Sequence, residues 1–220
     1  MPDASAPPPQ FQRAVASLRT MCHRPELLVS VLDPPPRLAP YTWACSVEAD
    51  AAAGRVGEPA VDLDEPDTSG RLILLHDPAG QEMWEGTFRL VCFVQARLEP
   101  EQLGDELLPV IVWSWLTEAL EQNDAGYVAL GGTVTQTSSV RFGDVARQAA
   151  ARSDGGAPGN AGGAPGNAVG PRRDDDIELR ASWTPTGWDL QPHAEAFCTL
   201  VACAAGLPPV GAVPLAHRSV

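Results

Sequence analysis

Few side chains in this sequence are equipped for chemistry, and their spacing limits what they could do. The four histidines, His23, His76, His193 and His217, are scattered along the chain, with no HExxH, HxH or clustered Cys/His spacing to join them. No metal site is therefore expected. The densest titratable group is His76-Asp77, followed by Glu82 and Glu85. If the chain reverses there, the four residues could meet in a polar pocket suited to acid–base work or a small ligand. Solvated residues at a turn are the plainer reading of the same pattern.

Other chemistries are excluded outright. The 15 basic residues are all arginine, which removes the P-loop lysine, the Schiff-base lysine and the lysine general base. There is no GxSxG elbow and no GxGxxG after a strand, so no cofactor and no catalytic residue is assigned. The five cysteines form no CxxC pair, and each lies in an apolar pattern, as reduced core thiols do.

The unusual feature is aromatic. Six tryptophans stand against two tyrosines. Alternation and helical periodicity send Trp43, Trp84, Trp115 and Trp183 to the core, and Trp188 is expected to pack near His193 as a staple before the last helix. Trp113 is different. On a wheel of 100° per residue it falls in a second stripe with Val110 and Leu120, away from the inward face of Leu107, Leu108, Ile111, Val112, Trp115 and Ala119. An apolar stripe rimmed by Glu106, Thr117 and Glu121 is either the seat of another helix or a site for a protein partner, where tryptophan is a favoured anchor.

The elements that would carry these residues follow from two periods. Apolar residues at Phe11, Ala14, Val15, Leu18, Met21 and Cys22 predict a helix over 10–22. Alternation predicts strands at 26–32, 41–49, 71–76, 82–98, 127–141 and 176–184. Asp77-Pro78-Ala79-Gly80 has the composition of a type I turn, which makes 71–98 a hairpin. Helices are expected at 106–122 and 190–205, the latter capped by Asp189. The order implies an α+β fold, an antiparallel sheet of five to six strands with about three helices mainly on one face.

Composition sets the frame around that domain. The tandem GGAPGNA copies at 155–168 cannot bury enough apolar surface to order themselves. The division expected is a disordered 1–9, one α+β domain over 10–206 with flexible insertions at 51–69 and 143–173, and a tail from 207 to 220. No apolar run approaches the ~20 residues of a membrane span, and MPDASAPPPQ has neither basic nor apolar leader character, so a cytoplasmic location is expected. The net charge of −13 is concentrated in residues 48–67 and 99–124. Such a field disfavours nucleic acid and anionic membranes as direct partners and suits a basic protein.

Six segments also carry a likeness: RLAPY (37–41), GRLILLHDPAGQEMWEGTFRLV (70–91), LLPVIVWSWLTEAL (107–120), YVALGGTVT (127–135), ELRASWTP (178–185) and AFCTLVACAAGLPP (196–209). In these the chain resembles an actinobacterial family of unknown function, number three thousand. The resemblance implies no activity, cofactor or catalytic residue. Members are encoded near a ribonuclease D-type exonuclease, so it also implies a regulator of a ribonuclease that does not touch RNA. The leading expectation is a non-enzymatic protein-interaction or regulatory module using Val110, Trp113 and Leu120. The rival is an enzyme or small-ligand protein with a pocket at His76, Asp77, Glu82 and Glu85.

Overall fold

Two-residue alternation builds one antiparallel sheet. The computed structural model describes residues 6–21, 24–49, 67–98, 102, 104–145 and 172–209. Its strands are β1 (Leu27–Leu32), β2 (Tyr41–Ala49), β3 (Thr68–Gln81), β4 (Gly86–Arg97), β5 (Tyr127–Arg141) and β6 (Arg172–Pro185), and their spatial order is β1-β2-β3-β4-β6-β5. All five neighbouring pairs are antiparallel. Helices α1 (Pro9–Leu18), α2 (Leu108–Gln122) and α3 (Gln191–Ala204) complete the α+β fold among the described residues. Of the insertions expected at 51–69 and 143–173, residues 51–66 and 146–171 lie outside them, whereas β3 already begins at Thr68 and β6 at Arg172; residues 1–5, the tail from 210, and Cys22, His23 and His217 also lie outside.

The core lies between the helices and one face of the sheet. In register across β2, β3, β4 and β6 run the rows Trp43-Leu74-Leu90-Trp183 and Cys45-Leu72-Cys92-Ala181, all buried. Each large side chain in them contributes roughly 1.5–3 kcal/mol by leaving water. On the same face Gly70 lets α3 come down onto the sheet, since a Cβ there would stand 2.7 Å from Val201 and 2.8 Å from Phe197. Helix α1 buries Phe11, Ala14 and Leu18 and stops at Leu18, four residues short of the expected end. Its Ser17 hydroxyl accepts the Leu190 N–H at 2.9 Å, while Asp189 Oδ1 accepts that of Gln191 at 3.2 Å. The start of α3 is thus satisfied partly from α1 and not by Asp189 alone.

The opposite face is half wet and ordered by arginine. Arg89 Nη1 donates to the Ala129 carbonyl at 2.8 Å and to Thr184 Oγ1 at 3.2 Å, and Nη2 donates to Ser182 Oγ at 2.8 Å. One guanidinium therefore ties β4 to β6 and to the bulge of β5, where Ala129 has a positive φ of 50° and the register shifts between Val128 and Gly131. Burial lowers the Arg89 pKa, opposed by the nearby Glu85 charge. Beside it Arg180 lies over the Phe93 ring at 5.3 Å and pairs with Glu178.

The hairpin departs from expectation in its turn. The Asp77-Pro78-Ala79-Gly80 signal does not reverse the chain. Strand β3 runs on to Gln81, which pairs with Gly86, and the register shift between His76 and Gln81 absorbs the irregular residues. Reversal takes place in the 3-10 turn Glu82–Trp84, closed by Glu85 in the left-handed region at φ 57°. Trp84 therefore sits half-buried in a turn and not in the core.

Candidate functional site

The hairpin cluster does not assemble. Successive residues of a strand face opposite sides, and at His76-Asp77 that rule separates the pair. The His76 ring is fully buried on the helix side, stacked on Phe88 with centroids 4.3 Å apart and on Phe11 at 5.9 Å, with Tyr41 at 6.0 Å. Its Nδ1 lies 2.9 Å from the Thr87 carbonyl, which can only accept, so Nδ1 carries the hydrogen. The Gln10 amide nitrogen meets Nε2 at 3.1 Å. Both ring nitrogens are engaged within an aromatic box.

Asp77 turns the other way. Its Oδ1 accepts the Ala79 N–H at 3.0 Å and its Oδ2 accepts Gln81 Nε2 at 3.2 Å, which is a local Asx-type arrangement. Glu82 and Glu85 stand exposed on the 3-10 turn. The four residues expected to converge are thus split between core, loop and solvent. They form no acid–base pair and no concave polar pocket.

Burial also holds two core thiols inert. Cys45 and Cys92 are both pushed up to about 12, chiefly by burial, so neither thiol is a nucleophile at neutral pH. They flank Leu72 in the same row and are two strands apart. Burial also raises the Cys203 thiol, with the Glu118 charge adding to the effect and Arg24 opposing it. Among the described residues no group of three or more His, Cys, Asp or Glu side chains could hold a metal ion. The gap between α2, α3 and the sheet, lined by Val94, Val112, Trp115, Ile177 and Leu200 among others, is apolar and about 10 Å³, the size of one water.

His193 is the buried histidine that pattern reading left without a role. The Trp183 indole N–H donates to its Nδ1 at 3.1 Å. Burial holds its pKa down at about 4, with the Asp189 charge opposing, so the ring is neutral and links α3 to β6. Trp188 does not staple this helix start, as it is largely exposed. The available signal was the ten-residue interval from Trp183 to His193, but nothing in a sequence states that a strand end and a helix start will touch.

Among the described residues apolar side chains reach solvent singly at Leu38, Met83 and Trp188, at Val140, Phe142 and Val145 at the end of β5, and in the two places described next. At the start of α2 the exposed large apolar residues are Leu107, just before the helix, at 66%, Val110 at 65% and Ile111 at 40%. Leu120, expected in the outward stripe, is fully buried, and Trp113 is half-buried against the core. Relative to expectation the buried face of the helix is rolled by about 70° on a wheel of 100° per residue. The physical reason is its double seat. Besides lying on the sheet, α2 packs along α3 and touches β5, which widens the buried arc to Leu108, Val112, Leu116, Ala119 and Leu120 and releases Leu107 and Ile111. Asp105 and Glu106 adjoin the exposed trio in sequence, and Glu118 and Glu121 are exposed farther along the same helix.

The second place is the free edge of β1. Leu28 and Val31 are 62% exposed and Val29 36%. Strand β1 has β2 on one side and is the terminal strand of the sheet on the other.

With this geometry in hand, comparison with known proteins decides the family. The family model described as protein of unknown function (DUF3000) matches residues 7–154 and 161–213. The chain belongs to the DUF3000 family. The unmatched residues 155–160 fall within the first GGAPGNA copy, whereas the acidic stretch 51–69 lies inside the matched range. The second copy, 162–168, and the acidic stretch thus both fall within the DUF3000 match. No curated protein and no solved structure matches the chain. No helix among the described residues is long and apolar enough to cross a membrane.

Proposed function

We propose that this DUF3000 chain is a non-enzymatic protein-interaction module that receives a basic partner on the outer face of the first turns of α2. One observation carries the reading. Leu107, Val110 and Ile111 are exposed on adjoining turns, in a stretch, residues 99–124, whose charged side chains are all acidic. Apolar side chains of this kind gain roughly 25 cal/mol per Å² when a partner covers them. The surrounding carboxylates would steer a positively charged surface toward them and add specificity more than affinity.

The test is affinity capture from a native lysate, followed by direct titration of the identified partner against wild type, Val110→Asp and Ile111→Asp. Both variants change exposed positions and should melt like wild type. A basic partner whose Kd rises at least tenfold in each variant, and which binds more weakly as salt increases, is the expected result. Binding that ignores both substitutions, or that is indifferent to salt, would remove the reading.

A further inference from the structure

We propose that two copies of this chain pair through β1, edge to edge and antiparallel, about a two-fold axis at Ser30, joining two six-stranded sheets into one. The proposal concerns the opposite end of the molecule from the sheet edge at β5 and does not depend on the partner of α2.

Three observations meet at this edge. The first is that β1 is the terminal strand among the described residues, so its outer backbone N–H and C=O groups have no ladder partner among them. Natural edge strands are commonly blunted by lysine, by proline or by an inward charge. Leu27–Leu32 contains none of these, and Leu28, Val29 and Val31 expose apolar side chains on both faces of the strand.

The second is the order of the residues. Leu28-Val29-Ser30-Val31-Leu32 reads the same in both directions. In an antiparallel pair centred on Ser30, Leu28 lies opposite Leu32 of the second copy, Val29 opposite Val31, and Ser30 opposite Ser30. Like meets like at every step, and the pairs are of the kinds that stabilise neighbouring strands, branched aliphatics on one another and two hydroxyls at the centre. A two-fold interface must be self-complementary, since each residue meets its own symmetry-related set. An extended segment of another protein would make no use of the palindrome, so the second copy is the occupant it fits.

The third is charge. The protein carries −13, which opposes self-association across most of its surface. Along the segment that carries β1 the charges cancel. Residues 24–41 contain Arg24, Glu26, Asp33 and Arg37 and no other charged side chain, and Arg24 pairs with Glu26 at 3.5 Å. The strand and its flanks are thus balanced in themselves, and Glu48 of β2, opposite Leu28, is a further acid beside them. The small size of the edge makes the dimer weak, with a dissociation constant on the order of 10 μM.

The experiment is sedimentation analysis of the full chain over a concentration series, with Ser30→Lys, Ser30→Glu and an equimolar mixture of the two. Wild type should pass from monomer to dimer with concentration. Each variant alone should stay monomeric, because two like charges would face each other across the axis, and the mixture should dimerise again, because lysine then faces glutamate. That restoration is specific to an axis at Ser30. A second measurement needs no substitution: amides of 27–32 should exchange at least tenfold more slowly in concentrated than in dilute wild-type protein. A wild type that stays monomeric to about 1 mM, a dimer that survives both substitutions, a mixture that stays monomeric, or β1 exchange independent of concentration would each overturn the proposal.

Discussion

The two edges of the sheet are built to opposite rules. Strand β5 is fifteen residues long, and from Thr133 to Ser139 its side chains are hydroxyls and an amide apart from Val134, with Val140 exposed just beyond them. It is bent by a bulge between Val128 and Gly131 and closed by the Arg141–Asp174 ion pair at 3.1 Å. Strand β1 has six residues, no bulge in its register with β2, and apolar side chains toward solvent. Both lie at the end of the same ladder. A polar, bulged strand is one that other chains do not extend, and an apolar strand without bulge, proline or charge is one that they can. The difference shows that edge protection is assigned strand by strand and need not be uniform across one sheet.

The comparison can be broken most forcefully on the β5 side. A Cβ at Gly132 would press into the Arg180 carbonyl oxygen and lie 2.9 Å from Ala181 Cβ, both on the partner strand. Gly132→Val should therefore cost about 3 kcal/mol, lowering Tm by roughly 6–12 °C. Thermal unfolding by circular dichroism measures it. A variant that melts with wild type would show that β5 is not held by its close pairing with β6.

Acid should act on the same side by a different route. Strand β6, which carries β5, is tied to α3 through Trp183 and His193. Burial holds the His193 pKa at about 4 against an ordinary 6.5, so the folded state prefers the neutral ring. The stability this gives is complete above pH 6.5 and is lost as pH falls through 4, a loss of up to about 3 kcal/mol over that window. Hydrogen exchange, corrected for its intrinsic pH dependence, should show β6 and β5 opening on acidification before β1 and β2. His193→Gln should flatten the dependence, and equal opening at both edges would contradict the assignment.

The smallest effect belongs to β1. Leu28 projects into water, so Leu28→Thr should change the stability of dilute protein by no more than about 0.5 kcal/mol. A loss of 2 kcal/mol or more in a urea titration would mean that this side chain packs within its own molecule.

Those effects rest on features of uneven legibility. The rows Phe88 to Ala96 and Ile177 to Trp183 could be read directly, because alternation has only two phases and one of them is apolar. The turn at Asp77-Pro78-Ala79-Gly80 could not. Its composition favours a local reversal, but the ladder between β3 and β4 gains another pair, Gln81 with Gly86, by continuing past it. The polar pocket failed with it, since His76 and Asp77 were brought together on paper by proximity in sequence and were separated in the fold by the pleat. Helix α2 failed for a different reason. Leu107, Leu108, Val110, Ile111, Val112, Trp113, Trp115 and Leu116 place apolar groups almost all round its first turns, so its pattern hardly indicates which side is buried. That choice was made by α3 and β5.

By itself the sequence determined the kind of elements, their order, the α+β class and the absence of lysine chemistry, because period, turn composition and residue type are local properties. It also contains the palindrome of β1. The tertiary structure alone decided which face of α2 meets water, that His193 rather than Trp188 secures the start of α3, and that Leu28-Val29-Ser30-Val31-Leu32 is the last strand of the sheet. Each of these depends on contacts between residues far apart in the chain, and no local pattern encodes how such surfaces rotate to share one core.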